Sequence, residues 1–222
     1  MEEILSFFNS VYSKHPRYWY PELSDSERYS LLRKHAENWQ TLFNDIRKSK
    51  PGKALDLGAG EGTDAIKLAM MGFEVDAVEG SVVGSEKIEN IAKRAGVRIN
   101  VINQNIEDFE SPNTYDVVIC NGVLHYVQDK LSVLHKIDRL TSNEGFTLIS
   151  LFSDATPTPD CHRIVDVFPD SSNGIVRNFF SRNWTSKYSS DEHNRLDLSH
   201  PGFPPHSHSF VKLVMQKRGN KN

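Results

Sequence analysis

Two hydrophobic rhythms alternate along the middle of the chain. Short apolar runs at Lys53–Leu57 (KALDL), Phe73–Val78 (FEVDAV), Arg98–Asn103 (RINVIN), Tyr115–Cys120 (YDVVIC) and Phe146–Phe152 (FTLISLF) have the length and β-branched content of buried strands. Between them, Thr63–Met71, Ser85–Ala95 and Asp129–Leu140 carry apolar residues at steps of three and four, the period of a helix with one buried face. Gly72 and Gly96 follow two of these helices in the position of a C-terminal cap. Strands that alternate with helices predict right-handed crossovers and a parallel sheet covered on both faces.

The two ends depart from this rhythm. The first fifty residues read as helical. A capping box at Ser24–Glu27 precedes an apolar face of Tyr29, Leu32, Ala36, Trp39, Phe43 and Ile46, and Pro51-Gly52 ends it. Ahead of that helix, the prolines at 16 and 21 make His15–Pro21 an aromatic-rich loop. After Phe152 comes a proline-broken segment, then a short helix at Ile175–Phe180 and two strands, Trp184–Ser189 and Phe210–Gln216. Only a polar, proline-rich stretch, Asp191–Ser209, separates these strands, so they should pair antiparallel. The expected fold is α/β and Rossmann-like: a seven-stranded, mostly parallel sheet with helices on both faces, closed by an antiparallel C-terminal β-hairpin. Residues 1–50 form an N-terminal helical or lid segment and 51–222 the main body of a single domain.

Bulk properties narrow the class. The chain has 222 residues, 38% hydrophobic and 25% charged, enough for a packed core. A net charge of −3 argues against a dedicated nucleic-acid binder, which needs a clustered basic surface. No apolar run approaches the ~20 residues of a membrane span, and the acidic start MEEILSFFNS does not read as a signal peptide. Two cysteines, Cys120 and Cys161, exclude a disulfide scaffold and suit a reducing cytoplasmic setting. Cys120, inside an apolar strand, reads as core.

The candidate chemistry begins at ALDLGAGEG, residues 54–62, where Gly58, Gly60 and Gly62 follow the first strand directly. A strand, a glycine turn and a helix make a nucleotide-binding corner at the carboxyl edge of a sheet. Glu79 ends the second strand about twenty residues later, the spacing of a carboxylate that takes both hydroxyls of a ribose. The loop is not a P-loop, and its G-x-G-x-G spacing places Thr63 where a dinucleotide fold carries its third glycine. It holds no Lys or Arg for a pyrophosphate. Its acids, Asp56 and Glu61, suit a ligand with positive charge.

DLGAGEG, VDAVEGS and YDVVICNGVLHYV resemble successive motifs of the class I S-adenosylmethionine-dependent methyltransferases, over residues 50 to 155. Phe179-Phe180, Trp184, Lys187-Tyr188 and FVKLVMQKR resemble more loosely the small tellurite-resistance-like methyltransferase branch. The resemblance implies S-adenosyl-L-methionine as methyl donor, S-adenosyl-L-homocysteine as product and a small-molecule acceptor through N, O, S or a metalloid. It implies that Gly58, Ala59 and Gly60 bring backbone against the methionine half of the donor, while Asp56 fixes the loop near its ammonium. Glu79, with Gly80 beside it, takes the ribose hydroxyls. Asn105 and Ile106 stand where the family contacts adenine, though Asn replaces the usual acid and Asp108 is a substitute. Asn121 offers its carbonyl to the ammonium, and Gly122 gives the methyl room.

His125, just after the fourth strand, either faces the methyl group or packs and caps the turn. Tyr18, Trp19 and Tyr20 either close over the donor, where aromatic faces attract a sulfonium, or simply pack on the sheet. His206 and His208 alternate, so on a strand they would share one face; with His193 and His200 nearby and Cys161-His162 upstream, they either rim the acceptor pocket or sit on a plain surface loop. No ligand set at a recognised spacing joins them, so no metal is expected from the sequence. The (Asn/Asp/Ser)-Pro-Pro-aromatic and Pro-Cys motifs of nucleic-acid methyltransferases are absent, which disfavours a nucleic-acid partner. Alternatives are a protein or peptide methyltransferase, a non-catalytic module that binds the donor, and, least favoured, a nicotinamide oxidoreductase. Oligomeric state is not legible.

Overall fold

The computed structural model describes residues 2–19, 52–162, 165–171, 174–197 and 204–219. The capped helix expected over 24–46 lies outside them, as do Tyr20 and His200. The elements are α1 (Glu2–Lys14), β1 (Lys53–Leu57), α2 (Thr63–Met70), β2 (Glu74–Glu79), α3 (Val82–Ala95), β3 (Asn100–Asn103), β4 (Tyr115–Asn121), α4 (Lys130–Leu140), β5 (Thr141–Ser153), α5 (Ile175–Phe180), β6 (Trp184–Asp197) and β7 (His206–Lys217).

One seven-stranded sheet runs β3-β2-β1-β4-β5-β7-β6. β1 pairs parallel with both β2 and β4, and β5 continues the parallel part beside β4. β7 then enters antiparallel between β5 and β6, and β6 forms the edge. The expected Rossmann-like sheet with its antiparallel end is therefore present. Because β1 and β4 are central, alternate residues face different layers. Leu55, Leu57, Val118 and Cys120 pack with α4 residues such as Leu134 and Ile137 on one face. Ala54, Val117 and Ile119 pack with Leu68 of α2 and Ile88 of α3 on the other. Continuous apolar runs are what a sheet buried on both faces requires. Burial also pushes the Cys120 thiol pKa up, in keeping with a core role.

Local chemistry sets the boundaries. Ser81 caps α3, its Oγ accepting from Gly84 N at 3.0 Å, and Gly96 closes that helix in the left-handed region. Asp129 caps α4 through Ser132 N. Asp170 accepts from the backbone N–H of Ile175 and Val176 at the start of α5. Among the described residues, no helix is long and apolar enough to cross a membrane.

One expectation needs correcting. Asp191–Ser209 is not all loop, because β6 continues to Asp197 and β7 starts at His206. Main-chain hydrogen bonds do not depend on side-chain polarity, and on an edge strand polar side chains stay in solvent. The register shifts between Ser186 and Tyr188 and between Glu192 and Arg195, with Asn194 at φ 50°.

The turn after β1 depends on glycine. Gly58 has φ 73°, and a Cβ there would lie 2.5 Å from Val123 Cγ2. Gly58→Ala should therefore destabilise the fold by roughly 1–3 kcal/mol, seen as a lower Tm in thermal denaturation; an unchanged Tm would show that the loop has another conformation.

Candidate active site

The corner between β1 and β2 is built almost wholly from main chain. Gly58 N and Ala59 N both donate to Val78 O, at 2.8 and 3.0 Å, which folds the loop back over β2. Glu79 ends β2 and is 7% exposed. Its Oε2 accepts from Gly60 N at 2.7 Å and its Oε1 from Ser81 N at 2.8 Å. These N–H groups favour the ionised form, yet burial outweighs them and raises the carboxyl to a pKa of about 7. Asn103 Nδ2 donates to Glu79 O at 2.8 Å and Gly80 O at 3.2 Å, which fixes the backbone turn beyond β2.

The two loop acids are tied to protein donors. Asp56 Oδ2 accepts from Ala65 N at 2.9 Å, pinning β1 to the start of α2. Burial first, then the neighbouring Asp64, raises its pKa. Glu61 accepts from Tyr18 N at 2.9 Å, Trp19 N at 3.0 Å and Lys87 Nζ at 2.8 Å. The expectation that Glu61 places charge opposite a cationic ligand is thus corrected, since Lys87 already meets it. Asp56 likewise spends one oxygen on the backbone at the start of α2.

α1 lies over this corner. Tyr12 is buried, and its Oη stands 3.2 Å from where a Cβ of Gly60 would be. Trp19 Nε1 donates to that Oη at 3.4 Å. Ser81 Oγ donates to Asn9 Oδ1 at 2.7 Å. Leu5 packs so closely on Gly80 that a Cβ there would meet Leu5 Cδ2 at 2.5 Å. Tyr18 and Trp19 are therefore at the glycine corner, although Tyr18 is itself buried. The sequence reading missed Leu5, Asn9 and Tyr12. Their signal was available in the three- and four-residue steps of a helix face.

At the end of β4, Asn121 Nδ2 donates to Asp64 Oδ2 at 2.8 Å, and its Oδ1 accepts from Ser150 Oγ. Gly122 has φ 73°, with no heavy atom within 4 Å of a Cβ position, so the chain leaves room there. After β3, Asn105 turns its Oδ1 onto Glu107 N at 3.4 Å and its carbonyl onto the N–H groups of Asp108 and Phe109. Its side-chain oxygen thus serves its own turn. Ile106 is buried, and its carbonyl accepts from Lys136 Nζ at 2.9 Å.

His125 is 2% exposed and stacks on Phe152 with ring centroids 3.7 Å apart. Its Nδ1 accepts from Phe152 N at 3.3 Å. Burial holds its pKa well below 6.5, so the ring is neutral, with its proton on Nε2. Neither nitrogen then offers a lone pair to an incoming proton, and the geometry favours the packing reading over a general base. On the other face of Phe152 stacks His208, at 4.2 Å. His206 and His208 do share a strand face, and the fold adds His162 beside them, which spacing alone did not reveal. His193, on β6, is exposed.

A family described as "Methyltransferase domain" matches residues 48–187. The ubiquinone biosynthesis O-methyltransferase of Rickettsia conorii is 31% identical over 133 residues, 55% of this chain and 45% of that protein. The chain spans a little under half the length of the curated relatives it matches. Among solved structures, TehB from Haemophilus influenzae superposes with a TM-score of 0.63 at 16% identity, over 81% of this chain and 62% of that one. The magnesium protoporphyrin IX methyltransferase ChlM of Synechocystis PCC 6803, crystallised with SAH, gives a TM-score of 0.63 at 14% identity, over 84% of each chain. Both structural likenesses concern the fold.

Proposed function

The chain belongs to the methyltransferase-domain family, and from that premise we propose that it transfers the methyl group of S-adenosyl-L-methionine to a small molecule, with a hydroxyl oxygen as acceptor. The acceptor class is suggested by the O-methyltransferases among its relatives. The observation that carries the reading is Glu79, a buried carboxylate clasped to Gly60 N–H at the mouth of a glycine loop that bears no Lys or Arg.

The residues present fit such a donor. Each Glu79 oxygen keeps a lone pair beyond its backbone bond, enough to accept the two hydroxyls of a ribose. Gly58 to Gly60 let backbone approach the ligand closely. Lys67 and Lys87, the nearby cations, pair with Asp64 and Glu61, which suits a nucleoside without phosphate. When bound, S-adenosyl-L-methionine supplies an electrophilic sulfonium methyl group. The protein's part is alignment and exclusion of water. Tyr12 and Trp19 cover the corner, and Gly122 leaves space beside it for the reacting groups.

Calorimetric titration with S-adenosyl-L-homocysteine, beside NADH, tests the reading. Micromolar binding to the first alone, followed by methyl transfer to a phenol or catechol in an acceptor panel, is the expected result. Binding to NADH alone, or to neither, would overturn it.

A pH dependence follows. Ligand hydroxyls donate to the ionised carboxylate, so affinity should rise as pH passes upward through about 7, where Glu79 ionises, and level off above it. Without ligand the sign is opposite. A carboxyl whose pKa is raised from 4.5 to about 7 holds extra proton in the folded state, so stability falls as pH rises across that window. Calorimetry and thermal denaturation from pH 5 to 8 would show both trends, and Glu79→Gln should flatten both. A pH-independent affinity in the native chain would take Glu79 out of the ligand site.

A further inference from the structure

We propose that His162, His206 and His208 form a binding site for one divalent transition-metal ion of the imidazole-preferring class, with Zn2+ as its representative. The three come from separate parts of the chain. His162 closes a short 3-10 turn, Asp160–His162, beyond β5, while His206 and His208 open β7 on one face. Their ring centroids make a nearly equilateral triangle, 4.8, 4.7 and 4.6 Å on its sides. One nitrogen from each ring lies within 4.8 Å of the other two.

The hydrogen bonding orients one of these nitrogens for a cation. His206 Nδ1 stands 2.7 Å from Pro204 O, and a carbonyl can only accept, so the ring proton is on Nδ1. His206 Nε2 then directs a lone pair at His162 Nε2, 3.0 Å away. A backbone carbonyl that fixes the far nitrogen is how proteins commonly set the tautomer of a metal-ligating histidine. An ion about 2.0–2.1 Å from each nitrogen bridges ligand pairs of roughly this separation. The other two pairs, within 4.8 Å, would have to draw in when an ion binds.

The site is also held from behind. Phe152 stacks on His208 at 4.2 Å and meets His162 edge-on at 5.7 Å. His162 and His208 are buried at 8% and 3% exposure, whereas His206 is half-buried, which gives an ion a way in. Three imidazoles, with no carboxylate or thiolate joining them among the described residues, select Zn2+, Co2+, Ni2+ or Cu2+ and disfavour Mg2+ and Ca2+. The competing occupant of the His162–His206 gap is a shared proton.

The test is titration of the untagged, chelator-treated full chain at pH 7.5, with Zn2+ by calorimetry and with Co2+ by visible absorption. One ion per chain at micromolar affinity or tighter is expected, with no heat from Mg2+. His206→Ala, at the half-buried position, should weaken binding by about tenfold or more, and His162→Ala likewise. His193→Ala should leave binding unchanged. Zn2+ should raise the Tm of the native chain but not of His206→Ala, a readout independent of methyl transfer. No uptake by the native chain means that a proton holds the gap and overturns the proposal. Uptake that His206→Ala leaves unchanged, or that His193→Ala removes, overturns it too. Because metal uptake does not depend on S-adenosyl-L-methionine, this inference and the proposed function can fail separately.

Discussion

Glu79→Ala should weaken binding of S-adenosyl-L-homocysteine by about 10- to 100-fold, the loss of charge-assisted hydrogen bonds worth roughly 1.5–3 kcal/mol. Methyl transfer at subsaturating donor should fall in proportion. The carboxylate ends β2 beside the glycine loop. Its burial makes each of its hydrogen bonds count for more than one in water. Alanine also leaves Gly60 N–H and Ser81 N–H without their acceptor, so the substitution disturbs the loop as well. Glu79→Gln separates the two effects, because the amide oxygen can still accept from backbone while its nitrogen cannot accept a ribose hydroxyl. Calorimetry on both variants, with circular dichroism to confirm folding, reads the result. Native-like affinity in folded Glu79→Ala would exclude Glu79 from the binding site.

The second large effect is expected at Glu61. Its carboxylate joins Lys87 to the backbone of Tyr18 and Trp19, and so fastens the N-terminal segment to the glycine loop and α3. The pair is mostly buried, with side-chain exposures of 15% for Lys87 and 4% for Glu61. Removing one partner of such a pair costs about 3–5 kcal/mol. In a domain of this size that corresponds to a Tm lower by roughly 6–20 °C. Trypsin should then cut faster at Lys14 and Arg17, which lie just ahead of the released contact. Affinity for S-adenosyl-L-homocysteine should drop as well, because Tyr12 and Trp19 would no longer be held over Gly60. Unchanged proteolysis alongside an unchanged Tm would show that α1 is fastened by its apolar face alone.

The regular centre of the fold was readable because its information is local. Lys53–Leu57, Thr63–Met70 and Ile175–Phe180 form the elements their hydrophobic period predicts, to within a residue. β5 begins earlier than its apolar run, at Thr141, because pairing with Tyr115 across a register shift recruits polar residues that no period marks. β6 and β7 extend into the polar stretch for the same reason. The glycine corner was legible because it lies within one strand–turn–helix unit. Partnerships between distant residues were not. Glu61 looked like an acid for a cationic ligand because Lys87 reaches it from α3, beyond the helix that Glu61 itself precedes. His162 and His206 are 44 positions apart, and only the return of β7 beside β5 brings them together. His125 could be placed by its motif, but the stack on Phe152 that occupies it is a tertiary contact.

The bulged outer strand has a consequence for how this molecule behaves among its own copies. An open sheet margin is a template on which another chain can add a strand. Here β6 offers that visitor Lys187, Asp191, Glu192 and Arg195, with a break in register on either side of Ser190. A straight strand laid along it would meet mismatched hydrogen-bond positions and charges of both signs. Among the described residues, a second chain laid along β6 would therefore find no uninterrupted ladder, and breaks of this kind are a common device against edge-to-edge pairing.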